Sequence, residues 1–119
     1  MNSYTNNIKL LLDICQHTTK PVNCAIWITR EHEFRAFRIL RDLLLKDTTN
    51  LLRYTQNSIQ FKNESKIDIL CCREENRGRR YTFALYEESV DEEFLHYIIY
   101  PMTASGFPPK KFRFEEGEL

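Results

Sequence analysis

The chain has 119 residues, a length that fits one domain because single hydrophobic cores usually span about 100–150 residues. Lysine and arginine together number 17, as do aspartate and glutamate, so the formal net charge is zero. This balance argues against a general nucleic-acid binder, whose affinity rests on excess basic charge, and the 42% of hydrophobic residues argue against a disordered chain.

The sequence has no pattern typical of a membrane or secreted protein. No apolar run approaches the roughly 18 residues of a membrane span, and the N-terminus lacks the basic and apolar regions of a secretory signal. The four cysteines, Cys15, Cys24, Cys71 and Cys72, are therefore interpreted as reduced and mostly buried thiols. We expect a protein of the cytoplasm, in whichever cell makes it, with no membrane partner.

Helical periodicity is found in three segments, residues 5–16, 33–46 and 89–100. In the first, the apolar positions are Ile8, Leu11, Leu12 and Cys15. In the second, they are Phe34, Phe37, Leu40 and Leu44, while Arg35, Arg38 and Arg41 fall on the other side. Ser3 or Thr5 is the predicted N-cap of the first helix. Ser89 and Glu92 have the spacing of a capping box for the third, and Pro101 is predicted to end it.

Strands are predicted between these helices. Residues 23–29 form an apolar run without alternation, which is typical of a strand covered on both faces. Residues 58–72 alternate on either side of a polar turn at residues 62–65 and predict a β-hairpin, and a further strand is predicted at residues 81–86.

The order helix, strand, helix, hairpin, strand, helix predicts a small α/β domain over residues 1–103. We expect two or three layers, with a short mixed sheet, a β-hairpin and about three helices. The crossover rule predicts that the first and last main strands are parallel. Residues 104–119 are predicted to be an extended, flexible C-terminal tail.

No catalytic, metal or cofactor site is predicted. Cys71 and Cys72 are adjacent in a strand and point to opposite faces, so they do not share a metal, and the three histidines are scattered. Glu87 and Glu88 end an apolar strand, at the position where α/β sheets bind ligands. The alternative interpretation is that this acidic pair only terminates the strand.

A basic cluster precedes that strand. Arg73, Arg77, Arg79 and Arg80 surround Gly78, which permits a tight turn. Such a cluster holds phosphates, an acidic protein surface or only water, and Glu74 and Glu75 partly neutralise it. The neutral net charge lowers the expectation of phosphate contact.

Over residues 5–103, the sequence resembles the middle of the ATPase domain of tailed-phage large terminase subunits. The resemblance rests on the strand CAIWITR, the hairpin pattern I-x-F-x-N-x-S-x-I at residues 59–67, the Arg77-Gly78 turn, and the acidic-ended strand at residues 82–88. The phosphate-binding pattern G-x-x-x-x-G-K-S/T is absent, and Glu87-Glu88 stands where the family has Asp-Glu. The resemblance therefore implies a terminase-like scaffold with a degenerate acidic pair and no ATP site of the usual kind.

The preferred hypothesis is a non-enzymatic, phage-like viral protein that binds another protein, within the packaging machinery or as an inhibitor of a host defence system. The candidate contact residues are Tyr97, Tyr100, Arg35, Arg38 and Phe107. The alternative is a nucleic-acid-binding accessory protein that uses Arg77, Arg79 and Arg80. A degenerate enzyme with magnesium chemistry at the acidic pair ranks last. Edge strands leave room for a homodimer.

Overall fold

The computed structural model describes residues 3–76 and 78–114, with side chains described from residue 7 onward. Helix α1 is Ser3–His17 and helix α2 is Glu33–Lys46. The third helix, α3, begins as Glu92–Phe94, continues as a π-helical segment, Leu95–Ile99, and ends with the turn Tyr100–Met102. Short 3-10 turns lie at Arg30–His32 and Glu74–Asn76.

Six strands form one mixed sheet. They are β1 (Asn23–Ile28), β2 (Leu51–Tyr54), β3 (Ser58–Phe61), β4 (Lys66–Cys71), β5 (Phe83–Glu87) and β6 (Lys110–Phe112). Their order in the sheet is β2-β3-β4-β1-β5-β6. Strands β4, β1, β5 and β6 are parallel, whereas β3 runs antiparallel to β4 and to β2.

Helices cover both faces of the sheet. Along β1, Cys24, Ile26 and Ile28 pack in the core formed with α1 and α2, whereas Ala25 and Trp27 pack in the core formed with α3. All five side chains are buried, because successive residues of a strand point to opposite faces and both faces are covered. The fold is therefore a three-layer α/β domain, which agrees with the predicted α/β class.

The central predictions are confirmed at the level of elements. Helix α2 has the predicted bounds, residues 58–61 and 66–71 form the predicted hairpin, and β1 lies parallel to β5. Cys71 and Cys72 pack in different cores, as their adjacency predicted. Within the described residues, no helix is long and apolar enough to cross a bilayer.

The two edge strands were not predicted. Strand β6 lies in the stretch predicted to be an extended tail, and it pairs in parallel with β5. The sheet therefore continues beyond residue 103. Phe112 is fully buried and fixes this stretch to the core. Residues 115–119 of the predicted tail lie outside the described residues. Strand β2 was not predicted because Leu52, Arg53 and Tyr54 are all exposed, so buried and exposed residues do not alternate along it.

Three local predictions were wrong. Phe34, expected to face the core, is 75% exposed, because the buried stripe of α2, formed by Ala36, Phe37, Leu40 and Leu44, passes to one side of it. The cap of α3 is Asp91 rather than Ser89, since its carboxylate accepts the Phe94 amide at 3.4 Å. Pro101 does not end α3 at once, because the preceding wider π-turn accommodates a residue that has no N–H. The proposed caps Ser3 and Thr5 lie outside the described side chains.

Candidate functional site

The predicted site residues lie in three separate places. Arg35 and Arg38 lie on α2, on one face of the sheet. Arg79, Arg80, Tyr97 and Tyr100 lie on the side covered by α3, and the acidic pair lies at the carboxyl ends of the parallel strands. Arg77 falls outside the described residues.

The two carboxylates of the acidic pair do not converge. Glu87 is 3% exposed and turned into the protein, whereas Glu88 is exposed. Oε2 of Glu87 accepts hydrogen bonds from the amide and hydroxyl of Thr29, at 3.0 and 3.2 Å. Its Oε1 lies 2.7 Å from Nδ1 of His32 and accepts a hydrogen bond from the Ser89 hydroxyl at 3.2 Å. Both oxygens of Glu87 are therefore engaged by the protein itself.

The Glu87 cluster ties two loops together at the carboxyl edge of the sheet. Thr29 and His32 follow β1, and Ser89 follows β5. The sequence analysis missed this role of Thr29 and His32. The predicted sheet could have indicated it, since residues that directly follow neighbouring parallel strands meet at one edge of the sheet. At the same edge, Arg73 of the predicted basic cluster pairs with Glu33 at the start of α2.

A second buried carboxylate, Asp68, lies on β4 and faces the side of α3. It is 4% exposed and accepts hydrogen bonds from the Ser58 hydroxyl at 2.9 Å and the Tyr81 hydroxyl at 2.8 Å. Lys66 Nζ and Arg79 Nη1 lie 3.5 and 3.8 Å from Oδ2. A buried charge requires such partners. The contact of Asp68 with Arg79 therefore holds the turn at residues 78–80, the arginine turn, close to the sheet.

Burial, followed by the neighbouring Asp68 charge, raises the pKa of Tyr81 well above its ordinary value of 10.0. The folded state therefore favours protonated Tyr81. Its contribution to stability is complete below about pH 10 and is lost as the pH rises through that value towards the folded pKa. In Tyr81→Phe this contribution is absent at every pH.

We expect Tyr81→Phe to lower the free energy of unfolding by about 1–2 kcal/mol at neutral pH, and the difference from wild type to shrink between about pH 10 and pH 11. Urea unfolding of both proteins across this range is the measurement. Other groups that titrate at alkaline pH are common to both proteins and cancel in the difference. A difference that stays constant or widens would contradict the assigned role of Tyr81.

The arginine turn and α3 form a groove that we call the arginine–tyrosine groove. Its volume is about 210 Å³, and it is lined by Gly78, Arg79, Arg80, Tyr97, Ile98, Pro101 and Met102. Tyr97 is 74% exposed at its side. Three of the predicted contact residues thus come together, since Tyr97 lies beside Arg79 and Arg80 although it is distant from them in the sequence. Tyr100 lies nearby on α3, stacked on His96 with ring centroids 5.4 Å apart.

Backbone contacts hold the two walls of this groove in place. Gly78 has φ of 93°, a left-handed conformation that favours glycine and lets the chain turn. Beyond the turn, the Tyr81 amide donates to the Met102 carbonyl at 2.8 Å, and the Ala104 amide donates to the Tyr81 carbonyl at 2.9 Å. The groove is therefore pinned at its base rather than formed by two independent loops.

The remaining candidates lie elsewhere. Arg38 lines a separate groove with Phe34 and Tyr54, and Arg35 is exposed on the same helix. Phe107 is half exposed beside an apolar pocket of about 180 Å³ next to α1, where its ring packs on Phe83 at 4.8 Å. In residues 3–76 and 78–114, no three histidine, cysteine or carboxylate side chains group closely enough to hold a metal ion.

The fold and the site define a three-layer α/β protein with a pinned arginine–tyrosine groove and a buried glutamate, Glu87, whose carboxylate is engaged within the protein. Comparison of the sequence with models of known protein families finds no match. A search of curated proteins also finds no match. The function is therefore argued from the geometry of this chain.

Proposed function

We propose that this chain is a non-enzymatic binding protein that recognises another protein through the arginine–tyrosine groove. The observation that carries this proposal is that Tyr97 shares one exposed and pinned groove with Arg79 and Arg80, from which it is distant in the sequence. Tyrosine and arginine are enriched among the residues that dominate binding energy at protein interfaces. The terminase-like sequence pattern supports a phage-like viral origin, with action in the packaging machinery or against a host defence system in the host cytoplasm.

The state of Glu87 supports a non-enzymatic role. A carboxylate that binds a magnesium ion or activates water needs an oxygen directed at the ligand. Both oxygens of Glu87 instead hold Thr29, His32 and Ser89. The neighbouring Glu88 is exposed and lies in the turn that follows β5. Glu87 thus acts as a structural tie.

The charges around the basic cluster favour a protein partner over the alternative, nucleic acid. Arg73 pairs with Glu33, and Arg79 lies 3.8 Å from Asp68, so carboxylates of the protein already compensate two of the four arginines. Glu74 and Glu75 are exposed beside them. Mixed charge of this kind suits a protein surface, whereas phosphate binding requires excess positive charge. Binding that weakens steeply with salt and disappears with nuclease would favour the alternative instead.

We expect Tyr97→Ala and Arg80→Ala each to weaken binding of the protein partner tenfold or more, because each removes about 1.4 kcal/mol or more of contact energy. The measurement is calorimetric titration against the partner captured with the wild-type chain. Arg35→Ala, an exposed arginine on the opposite face, is the matched control and should bind like wild type. Equal affinity of the two groove variants and the control would contradict the assignment of this surface.

A further inference from the structure

Two buried thiols face each other between helix α1 and the central strand β1. Cys15 lies near the end of α1, and Cys24 is the second residue of β1. Their Sγ atoms are 3.4 Å apart, both side chains are fully buried, and one thiol donates a hydrogen bond to the other. Both residues are free cysteines. We call them the buried thiol pair.

Contacts of the surrounding chain hold the buried thiol pair in place. The Asn63 side chain, in the turn between β3 and β4, donates a hydrogen bond to the Cys15 carbonyl at 2.8 Å. The next residue of α1, Gln16, accepts a hydrogen bond from the Thr49 amide at 2.7 Å, which ties the end of α1 to the loop after α2. Cys24 is fixed by β1, which pairs with β4 on one side and β5 on the other.

The spacing of the two sulfur atoms is close to that of a disulfide. A disulfide bond is about 2.0 Å long, so the sulfur atoms have to approach each other by about 1.4 Å from their separation of 3.4 Å. Rotation of the two side chains supplies a movement of this size. The bond would close a loop of eight residues, residues 16–23.

The other two cysteines are too far away to replace either member of the pair in the folded chain. In the register of β1 with β4, Cys71 is level with Ile28, which follows Cys24 by four residues along the strand. Four residues of a strand span about 13 Å, whereas the Cα atoms of a disulfide lie within about 7 Å of each other. Cys72 packs in the core on the opposite face of the sheet.

We propose that the buried thiol pair is a redox modification site, which a low-molecular-weight disulfide such as oxidised glutathione converts to a disulfide that joins α1 to β1. One cysteine thiolate attacks a sulfur of the glutathione disulfide, forms a mixed disulfide and releases one glutathione thiol. The second cysteine thiolate attacks the protein-bound sulfur, forms the internal bond and releases the second glutathione. The pair loses two electrons and two protons, which the glutathione disulfide takes up as two thiols.

The reaction requires α1 to open, because both sulfur atoms are shielded while this helix is docked. Helix α1 packs on the sheet through one apolar face, whereas β1 is hydrogen-bonded to a strand on either side. Elements with fewer contacts open locally at a lower cost in free energy. In the docked state, the hydrogen bond with Cys15, followed by burial, raises the pKa of Cys24, so its thiol stays protonated and unreactive.

The internal bond is expected to stabilise the protein and to be reversible. It restricts the unfolded chain and keeps α1 next to the strand from which it would otherwise open. Reduced glutathione reverses both exchange steps, so the pair responds to the balance of thiol and disulfide around it. The arginine–tyrosine groove lies on the opposite face of the sheet, beside α3, and this inference does not depend on it.

The test compares the purified full chain after incubation with oxidised and with reduced glutathione. Alkylation in denaturant followed by peptide mass spectrometry should show that oxidation protects Cys15 and Cys24 and removes the mass of two hydrogen atoms. The melting temperature of the oxidised protein should exceed that of the reduced protein by about 5–10 °C. Cys15→Ala should lose this increase. Cys72→Ala is the matched control and should keep it, because Cys72 lies in the other core.

Each other outcome overturns the proposal. Alkylation of both cysteines after oxidation, in buffer and also in urea just below the unfolding midpoint, would exclude the bond. Glutathione that remains attached to Cys15 or Cys24 would show that the second exchange step does not occur. A bond that leaves the melting temperature unchanged or lowers it would exclude the stabilising role. An increase that Cys15→Ala retains would assign the effect to a different thiol.

Discussion

Replacing Glu87 with alanine is expected to lower the free energy of unfolding by about 3 kcal/mol, because the amide of Thr29 and the side chains of His32 and Ser89 lose their acceptor together. For a domain of this size, the melting temperature should fall by roughly 10 °C. Urea unfolding and calorimetry measure the two quantities. The reason for so large an effect is that Glu87 joins the loops after β1 and β5 from a buried position.

Glu88→Ala is the matched control, since the neighbouring carboxylate is exposed, and its effect should stay within about 0.5 kcal/mol. The direction of the Glu87 effect separates two roles. Carboxylates kept for catalysis are held at a cost in stability, so their removal commonly stabilises the fold. An unchanged or raised stability of Glu87→Ala would therefore contradict the structural role and revive the hypothesis of magnesium chemistry.

Replacing Phe112 with alanine is expected to lower the free energy of unfolding by about 3–5 kcal/mol, which is the usual cost of emptying a buried phenylalanine site. Phe112 is fully buried among the side chains of the α1–α2 core and lies on the edge strand β6. If residues 104–114 were only an appended tail, the same change would cost almost nothing. Chemical unfolding of the purified variant is the measurement.

Lys111→Ala is the appropriate control for Phe112→Ala. Lys111 is the preceding residue of the same strand, and its side chain is exposed. Its carbonyl accepts a hydrogen bond from Asn7 of α1 at 2.8 Å, and an alanine keeps this backbone contact. We expect a change below about 0.5 kcal/mol. A loss for Phe112→Ala that is no larger than that for Lys111→Ala would show that β6 does not contribute to the core.

The elements predicted from the sequence are those in which burial leaves a periodic pattern. Strand β1 was predictable because both of its faces are covered, and α2 because its inward residues repeat with the helical period. Strands β2 and β6 were not, since their residues are largely exposed and their pairing depends on partners distant in the sequence. Phe34 shows the same limit, because the sequence does not show that the buried stripe of α2 passes to one side of it.

The candidate site was predicted residue by residue but not as a unit. Arginine clusters and exposed tyrosines can be recognised in a sequence, yet the meeting of Arg80 with Tyr97 depends on the backbone contacts of Tyr81 with Met102 and Ala104. The buried ties were missed for a related reason. Asp68 looks like an ordinary surface charge, and Glu87 like a strand end or a ligand site, until the topology supplies their hydroxyl and histidine partners.

The most direct test of the central claim is quantitative affinity capture from a lysate of the cells in which the protein acts. Tagged wild type, the double variant Arg80→Ala, Tyr97→Ala and the control Arg35→Ala are compared after nuclease treatment. We predict one stoichiometric protein that wild type and Arg35→Ala retain and the double variant loses. Equal capture by all three proteins, or a partner that disappears with nuclease, would contradict protein recognition through the arginine–tyrosine groove.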